Sequence, residues 1–424
     1  MGRIFQYLMI GLVVSLFYFS FGLTFLPSSI NTKMLLAVTG LPVAVYHAIQ
    51  RGSMKIDPAL LGAIGFVVLF SLVCFIAVDY NHTADMSYAT YFVSFTVWLF
   101  SAYTVCSLVR TVHGVIDLKI LTCYLAAVCF AQCLFALLID SIPLFEMFVN
   151  RYIDQGQDFL LEVNRLYGIG ASLDNAGVRF SLVLIMMAGV LTKEKTLLAS
   201  RRMIIILLTG FFGIVIVGNM ISRTTSIGAG LALVMFTWNT GIVRMVIKPD
   251  FFKFHVIFWL MLIVALVLTT YFYQNNRIFH EQIRFAFEGF FNWIEIGEWR
   301  TDSTDKLSEN MWIWPADMKT WFIGTGLFDN WIYGTDIGYC RFILYCGLTG
   351  FSLFALFFIY NAAVFAVKYK RYQGMFFLFF IMAFVIWLKV STDIFIIYAL
   401  LYCMDMFNSD QPLNYQDENR LLYS

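Results

Sequence analysis

Apolar runs of about 18 to 25 residues, each closed by a short polar break, recur along most of the chain, and a run of that length crosses about 30 Å of hydrocarbon as a helix. Set against their breaks, the runs predict spans near Ile4–Leu26, Met34–Ile49, Ala59–Val78, Tyr88–Val109 and Leu118–Leu138. Further spans follow near Val178–Leu191, Met203–Ile221, Thr225–Trp238, Phe254–Tyr273 and Tyr339–Val367. The last apolar region, Met375–Met406, is too long for one span and is interrupted by Lys389, Ser391 and Asp393, so it reads as two short helices meeting at a polar turn. The pattern predicts an all-α fold: a polytopic integral membrane helical bundle of about twelve transmembrane helices. Arg3 precedes the first run as in a signal peptide, but the run is long and no Ala-x-Ala site follows it, which makes it a retained first span.

Composition strengthens this picture. Residues are 60% hydrophobic and 13% charged, too apolar for a soluble core to absorb, and mean hydropathy is +0.78. A formal net charge of +1 without an extended basic tract excludes nucleic acid as a partner. All eight cysteines fall within or beside apolar runs, with no CxxC and no histidine cluster, and read as small core hydrophobes.

Charge placement gives orientation. With the N-terminus inside, every cytoplasmic loop is basic: Arg51 and Lys55, Arg110 and Lys119, Lys193 to Arg202, Arg244 to Lys253, and Lys368 to Arg371. The opposite loops are acidic or mixed, with Asp79, His82 and Asp85 in one and Asp140, Glu146, Asp154, Asp158 and Glu162 in another. The organisation expected is spans one to nine over 1–273 with an outer loop at 140–177, a long, partly helical outer loop at 274–338, spans ten to twelve over 339–407, and a cytoplasmic tail at 408–424.

Both outer loops are too long to be mere connectors. The second carries tryptophans 293, 299, 312, 314, 321 and 331. These suit either an aromatic belt at the membrane interface or stacking faces for sugar rings.

Arginines at span ends carry the sharpest chemical signal, because a charge in hydrocarbon costs at least about 2.5 kcal/mol and is kept for a partner or a ligand. Arg165, Arg179, Arg223 and Arg341 qualify, all toward the outer face. A convergent group of planar, permanently charged guanidiniums can hold pyrophosphate without a metal. The structural alternative is that each pairs with a carboxylate such as Asp174 or Asp336, or snorkels to the interface. Candidate general bases are Asp336, Asp174 and the run Glu298, Asp302, Asp305 and Glu309, with Asp336 favoured because Gly334, Gly338 and Tyr339 surround it at a span boundary. His280, alone on an amphipathic stretch, reads as structural. No metal cluster, P-loop, dinucleotide fingerprint or GxSxG appears, so no metal and no cofactor are expected; Gly324-Thr325-Gly326 reads as a turn that lets the backbone re-enter.

The hydrophobic architecture, NRLYGIGASLDNAGVRF before the sixth span, SRTTSIGAGLAL between the seventh and eighth, and WFIGTGLFDN followed by TDIGYCRFILYCGLTG together resemble the bacterial O-antigen ligase and Wzy-type polymerase superfamily, membrane glycosyltransferases of the GT-C class. The first element looks like that family's Arg-x-x-Gly plus Asn-Ala/Gly approach, and the second like its Ser-Arg-Gly-type element. The likeness covers most of the residues from Arg165 to Phe354; the first five spans match only in kind. It implies a metal-independent, inverting transferase in the bacterial inner membrane, with both termini cytoplasmic, the site facing the periplasm and 274–338 a periplasmic loop. The donor implied is an undecaprenyl-pyrophosphate-linked glycan, with Arg165 and Arg223 as pyrophosphate ligands and Arg341 as a third positive group; Arg179, Arg300 and Tyr339 are further candidate substrate contacts. Asp336 would act with Arg165 and Arg223 in catalysis. Ligases commonly carry a histidine just before span ten, whereas Asp336-Ile337-Gly338-Tyr339 looks more like the polymerase branch.

The leading expectation is a polymerase of lipid-linked repeat units of O-antigen, capsule or exopolysaccharide, with donor and acceptor both lipid-linked and a chain-length-regulating co-polymerase as partner. The alternatives are a ligase that moves the glycan to a lipid A core, and a flippase of polyprenyl-linked sugars. Transport is disfavoured because no internal repeat is evident and the polar residues cluster outside the spans.

Overall fold

A computed structural model describes residues 2–52, 56–162, 165–241, 251–328 and 332–408. Lys55, Arg244, Lys248, Trp331 and the tail beyond Asn408 lie outside the described residues, as do the side chains of Arg51, Asp158 and Glu162. In chain order the helices are α1 (Gly2–Tyr18), α2 (Thr32–Arg51), α3 (Pro58–Tyr80), α4 (Tyr91–His113), α5 (Leu118–Ser141), α6 (Pro143–Tyr152), α7 (Gln157–Glu162), α8 (Leu173–Lys193), α9 (Lys195–Ala199) and α10 (Arg201–Ile221). There follow α11 (Thr225–Thr240), α12 (Phe252–Asn275), α13 (Arg277–Ala286), α14 (Glu288–Ile296), α15 (Asp302–Asn310), α16 (Met318–Phe322), α17 (Gly338–Lys368), α18 (Gln373–Ile386) and α19 (Phe395–Asn408).

Eight of these, α2, α3, α4, α5, α8, α10, α12 and α17, are long and apolar enough to cross a membrane, so the chain is an all-α polytopic membrane protein. The other four apolar helices, α1, α11, α18 and α19, have 14 to 17 residues, about 21 to 26 Å at 1.5 Å per residue, which is shorter than the twelve-span pattern anticipates. The first run breaks earliest against expectation. Its helix stops at Tyr18, and Gly22–Leu23 instead pairs antiparallel with Ile153–Asp154. Hydroxyls supply the competing bonds there: Thr32 Oγ1 accepts from the Phe21 amide at 3.3 Å, and Thr24 Oγ1 donates to the Arg151 carbonyl at 2.8 Å.

The chain forms two compact units, one of Met1–Leu36 with Ser107–Trp299, the other of Ala37–Cys106 with Arg300–Ser424. In the first, α8 is the central helix: every residue from Phe180 to Thr192 is buried, against α5, α10 and α11. Small residues let α11 approach it closely. The Ser181 hydroxyl donates to the Thr224 carbonyl at 2.9 Å and accepts from the Gly228 amide at 3.2 Å. A Cβ on Gly228 would stand 2.1 Å from Ser181 Cα, a backbone atom that cannot step aside. We expect Gly228→Ala to cost about 2 kcal/mol by forcing the helices apart, read as a lowered melting temperature of the solubilised protein. At the opposite extreme, α12 buries only Phe254 and Phe258.

In the second unit α17 packs on α3, α16 and α18. Trp387, fully buried, is its aromatic centre, stacked on Phe354 at 5.6 Å, and Phe354 in turn stacks on Phe70 at 4.6 Å. The polar turn read from Lys389, Ser391 and Asp393 lies between α18 and α19, where Asp393 accepts from the Phe395 amide at 2.8 Å and from the Tyr91 hydroxyl at 3.1 Å.

Candidate functional site

In the first unit, Arg165 and Arg223 converge on one ring. The Arg165 guanidinium carbon lies 4.6 Å from the Phe285 ring centroid and that of Arg223 4.1 Å, which puts the two cations within about 9 Å of each other. Glu288 meets Arg223 at 2.5 Å, with both side chains less than one-fifth exposed. Two guanidiniums held on one ring, with solvent screening limited at Arg223, can hold an anion through planar, charge-assisted hydrogen bonds.

Each element of this site is held locally. Arg165 opens the loop that leads to α8, and its amide donates to the Leu160 carbonyl at 3.3 Å. Buried Gln132, in the middle of α5, accepts from the Ile169 amide at 2.8 Å, and Gln155 accepts from the Gly170 amide at 2.6 Å. Gly170 takes φ +71, and a Cβ there would meet the Phe19 carbonyl oxygen at 2.5 Å, so glycine is required where this loop passes the residue after α1. Arg223 sits in the three-residue turn between α10 and α11. The flanking hydroxyls of Ser222 and Thr224 both donate to Asp174 Oδ1, at 2.9 and 2.7 Å, from the first turn of α8. Asp174, read from sequence as a candidate base, therefore positions the turn that carries Arg223.

Phe285 and Glu288 come from the α13–α14 hairpin. Arg284 forks onto Glu295 with two 2.8 Å bonds and stacks on Phe291 at 5.0 Å, tying the two short helices together. The fork holds the exposed Glu295 carboxyl below its usual range. His280 stacks on Tyr273 at 4.0 Å with Nδ1 3.2 Å from the Tyr273 carbonyl oxygen, a structural placement on α13. Neither Phe285 nor Glu288 stood out in the sequence; the only signal was the helical period of the stretch around them.

The remaining expected residues are held as follows. Arg179, on α8, stacks on Phe19 at 5.7 Å, and its carbonyl accepts from the Tyr18 hydroxyl at 2.8 Å. Asp336, Tyr339, Arg341 and Arg300 belong to the second unit. Asp336 is exposed just before α17. The Tyr339 hydroxyl donates to the Phe384 carbonyl at 2.9 Å. Arg341 donates to Ser391 Oγ at 2.9 Å and to the Phe328 carbonyl at 2.7 Å while lying 4.0 Å over the Phe328 ring, so it braces the start of α17 against the α18–α19 turn. Arg300 pairs with Asp305 at 2.9 Å in the open. Trp312, Trp314 and Trp321 form a row with centroids 5.6 and 5.8 Å apart. Among the described residues, no group of three or more His, Cys, Asp or Glu is placed to hold a metal ion. No family model, curated protein or solved structure matches the chain.

Proposed function

We propose that this protein is a membrane glycosyltransferase that polymerises lipid-linked repeat units of a surface polysaccharide, moving a glycan from undecaprenyl pyrophosphate to a hydroxyl of another lipid-linked unit. The observation that carries the reading is the convergence of Arg165 and Arg223 on Phe285. In inverting transfer the attacking oxygen approaches the anomeric carbon opposite the leaving group, and negative charge grows on pyrophosphate as the bond breaks. Two fixed guanidiniums stabilise that charge without reorganising at the moment of reaction. The apolar helices around the site suit a donor whose polyprenyl tail stays in hydrocarbon.

This reading takes the twelve apolar helices as spans of a bacterial inner membrane, with both termini cytoplasmic and the arginine pair at the outer face. The test is purified protein in lipid nanodiscs given a panel of undecaprenyl-pyrophosphate-linked di- and trisaccharides. A ladder of multiples with release of undecaprenyl pyrophosphate is expected. A single transfer made only when a lipid A core is added would mean a ligase, and movement of intact donor across the bilayer without a new bond would mean a flippase.

A further inference from the structure

The arginine pair accounts for the donor but not for the hydroxyl that attacks it. Arg165 also lines a cleft of about 120 Å³. The end of α5 contributes Ile139 and Asp140, α6 contributes Glu146, α7 contributes Leu160, and the Arg165 loop contributes Arg165 itself and Tyr167. A void of about 10–15 Å³ holds one water by the same kind of measure, so this cleft takes several, or the hydroxyl-bearing edge of a sugar.

Two carboxylates, a guanidinium and a phenol face this space, a set that hydrogen-bonds sugar hydroxyls as both donor and acceptor. Tyr167 is fixed by a 3.2 Å bond from its hydroxyl to Asn150 Oδ1 and packs in a small buried cluster with Ile139, Val149, Ile153 and Leu160. Burial pushes its phenol up, and with its one proton given to Asn150 its oxygen faces the cleft as an acceptor. Of the two acids, Asp140 is exposed at the helix end, whereas Glu146 is half-buried in the first turn of α6. Glu146 is also the carboxylate beside the Tyr167 phenol. Arg165 is the shared wall: it lines the cleft and lies over Phe285, where Arg223 also lies.

Resting on the transferase reading above, we infer that this cleft is the acceptor subsite and that Glu146 is the proton acceptor for the attacking hydroxyl. The step balances within the site. The acceptor O–H proton passes to the Glu146 carboxylate, the oxygen forms its bond to the anomeric carbon, and the anomeric C–O bond to phosphate breaks with its electron pair going to pyrophosphate. Glu146 then returns the proton to solvent through the open mouth of the cleft.

The experiment uses the full chain in nanodiscs with the same panel of lipid-linked saccharides. Glu146→Gln is expected to lower kcat about 100-fold while the KM for donor changes less than about twofold. Glu146→Asp, which keeps a carboxylate, is expected to retain an intermediate rate. Asp140→Asn, which alters one polar contact to the acceptor, is expected to raise the KM for acceptor while kcat changes less than about threefold. A Glu146→Gln enzyme at the wild-type rate, or equal losses in the Gln and Asn variants, would overturn the assignment. A second readout does not need turnover: labelling of Glu146 by a water-soluble carbodiimide, followed by mass spectrometry. Lipid-free trisaccharides of the panel should protect Glu146 from labelling. Absence of protection overturns the subsite even where polymer is made, and absence of product with protection intact overturns the transferase reading instead.

Discussion

Arg223→Ala is expected to cut release of undecaprenyl pyrophosphate by about 100- to 1000-fold, the usual cost of removing one preorganised donor from a developing oxyanion. The effect should fall on kcat, because the charge that Arg223 meets grows only as the glycosidic bond breaks. A purely structural role makes a different prediction. Arg223 and Glu288 form a partly buried ion pair, and deleting the cation leaves the Glu288 carboxylate without it. Glu288→Gln separates the two cases, since it also breaks the pair but keeps the guanidinium over Phe285. On the pyrophosphate reading Glu288→Gln retains turnover and strengthens binding of undecaprenyl pyrophosphate, because one opposing negative charge is gone. On the structural reading it behaves like Arg223→Ala in both activity and melting temperature. Arg223→Lys should lie between, keeping the charge but losing the planar fork. Activity of Arg223→Ala within threefold of wild type, in protein that melts normally, would sink the pyrophosphate clamp.

The sequence made Arg165 and Arg223 legible because charge inside an apolar chain stands out, and they are the pair the fold brings together. It did not reveal the ring between them. Phe285 is one of 45 phenylalanines, and its selection depends on how α13 packs against α10 and α12, which no local pattern encodes. Asp174 was visible as a carboxylate, but its two hydroxyl donors arrive from 48 and 50 residues away, so its structural employment could not be read in advance. Helix boundaries followed the same division. The α18–α19 turn was marked by Lys389, Ser391 and Asp393, whereas the early end of α1 at Tyr18 depends on pairing with residues near 153, far along the chain. Arg341 stood out as a charge at a span end, but its bonds to Ser391 Oγ and the Phe328 carbonyl could not be read there, because those acceptors lie 50 and 13 residues away in turns that themselves need partners.

Gly347→Ala is expected to be the most damaging small substitution in the second unit, costing about 4 kcal/mol or more and lowering the yield and melting temperature of solubilised protein. Gly347 interrupts α17 at φ 66 and ψ 179, a region essentially confined to glycine. The break releases carbonyls that a continuous helix would have used, and in an apolar surrounding each needs another donor. The Gly324-Thr325-Gly326 turn supplies them. The Thr325 amide and hydroxyl donate to the Leu344 carbonyl at 2.7 and 2.9 Å, and the Gly326 amide donates to the Tyr345 carbonyl at 2.9 Å. Close approach is the condition for these bonds: a Cβ on Gly347 would meet the Phe322 carbonyl oxygen at 2.2 Å, and one on Gly324 the Tyr345 carbonyl oxygen at 2.2 Å. Alanine at 347 therefore imposes backbone strain of about 1–3 kcal/mol and also pushes the turn off its acceptors, leaving buried carbonyls unbonded at about 1–3 kcal/mol each. Gly374→Ala is the control, because its Cβ meets nothing within 4 Å and its backbone is helical. That substitution should be neutral or slightly stabilising. Equal melting temperatures for the 347 and 374 variants would mean that the turn and the break do not depend on one another, and that the re-entry of the chain at Thr325 has some other support.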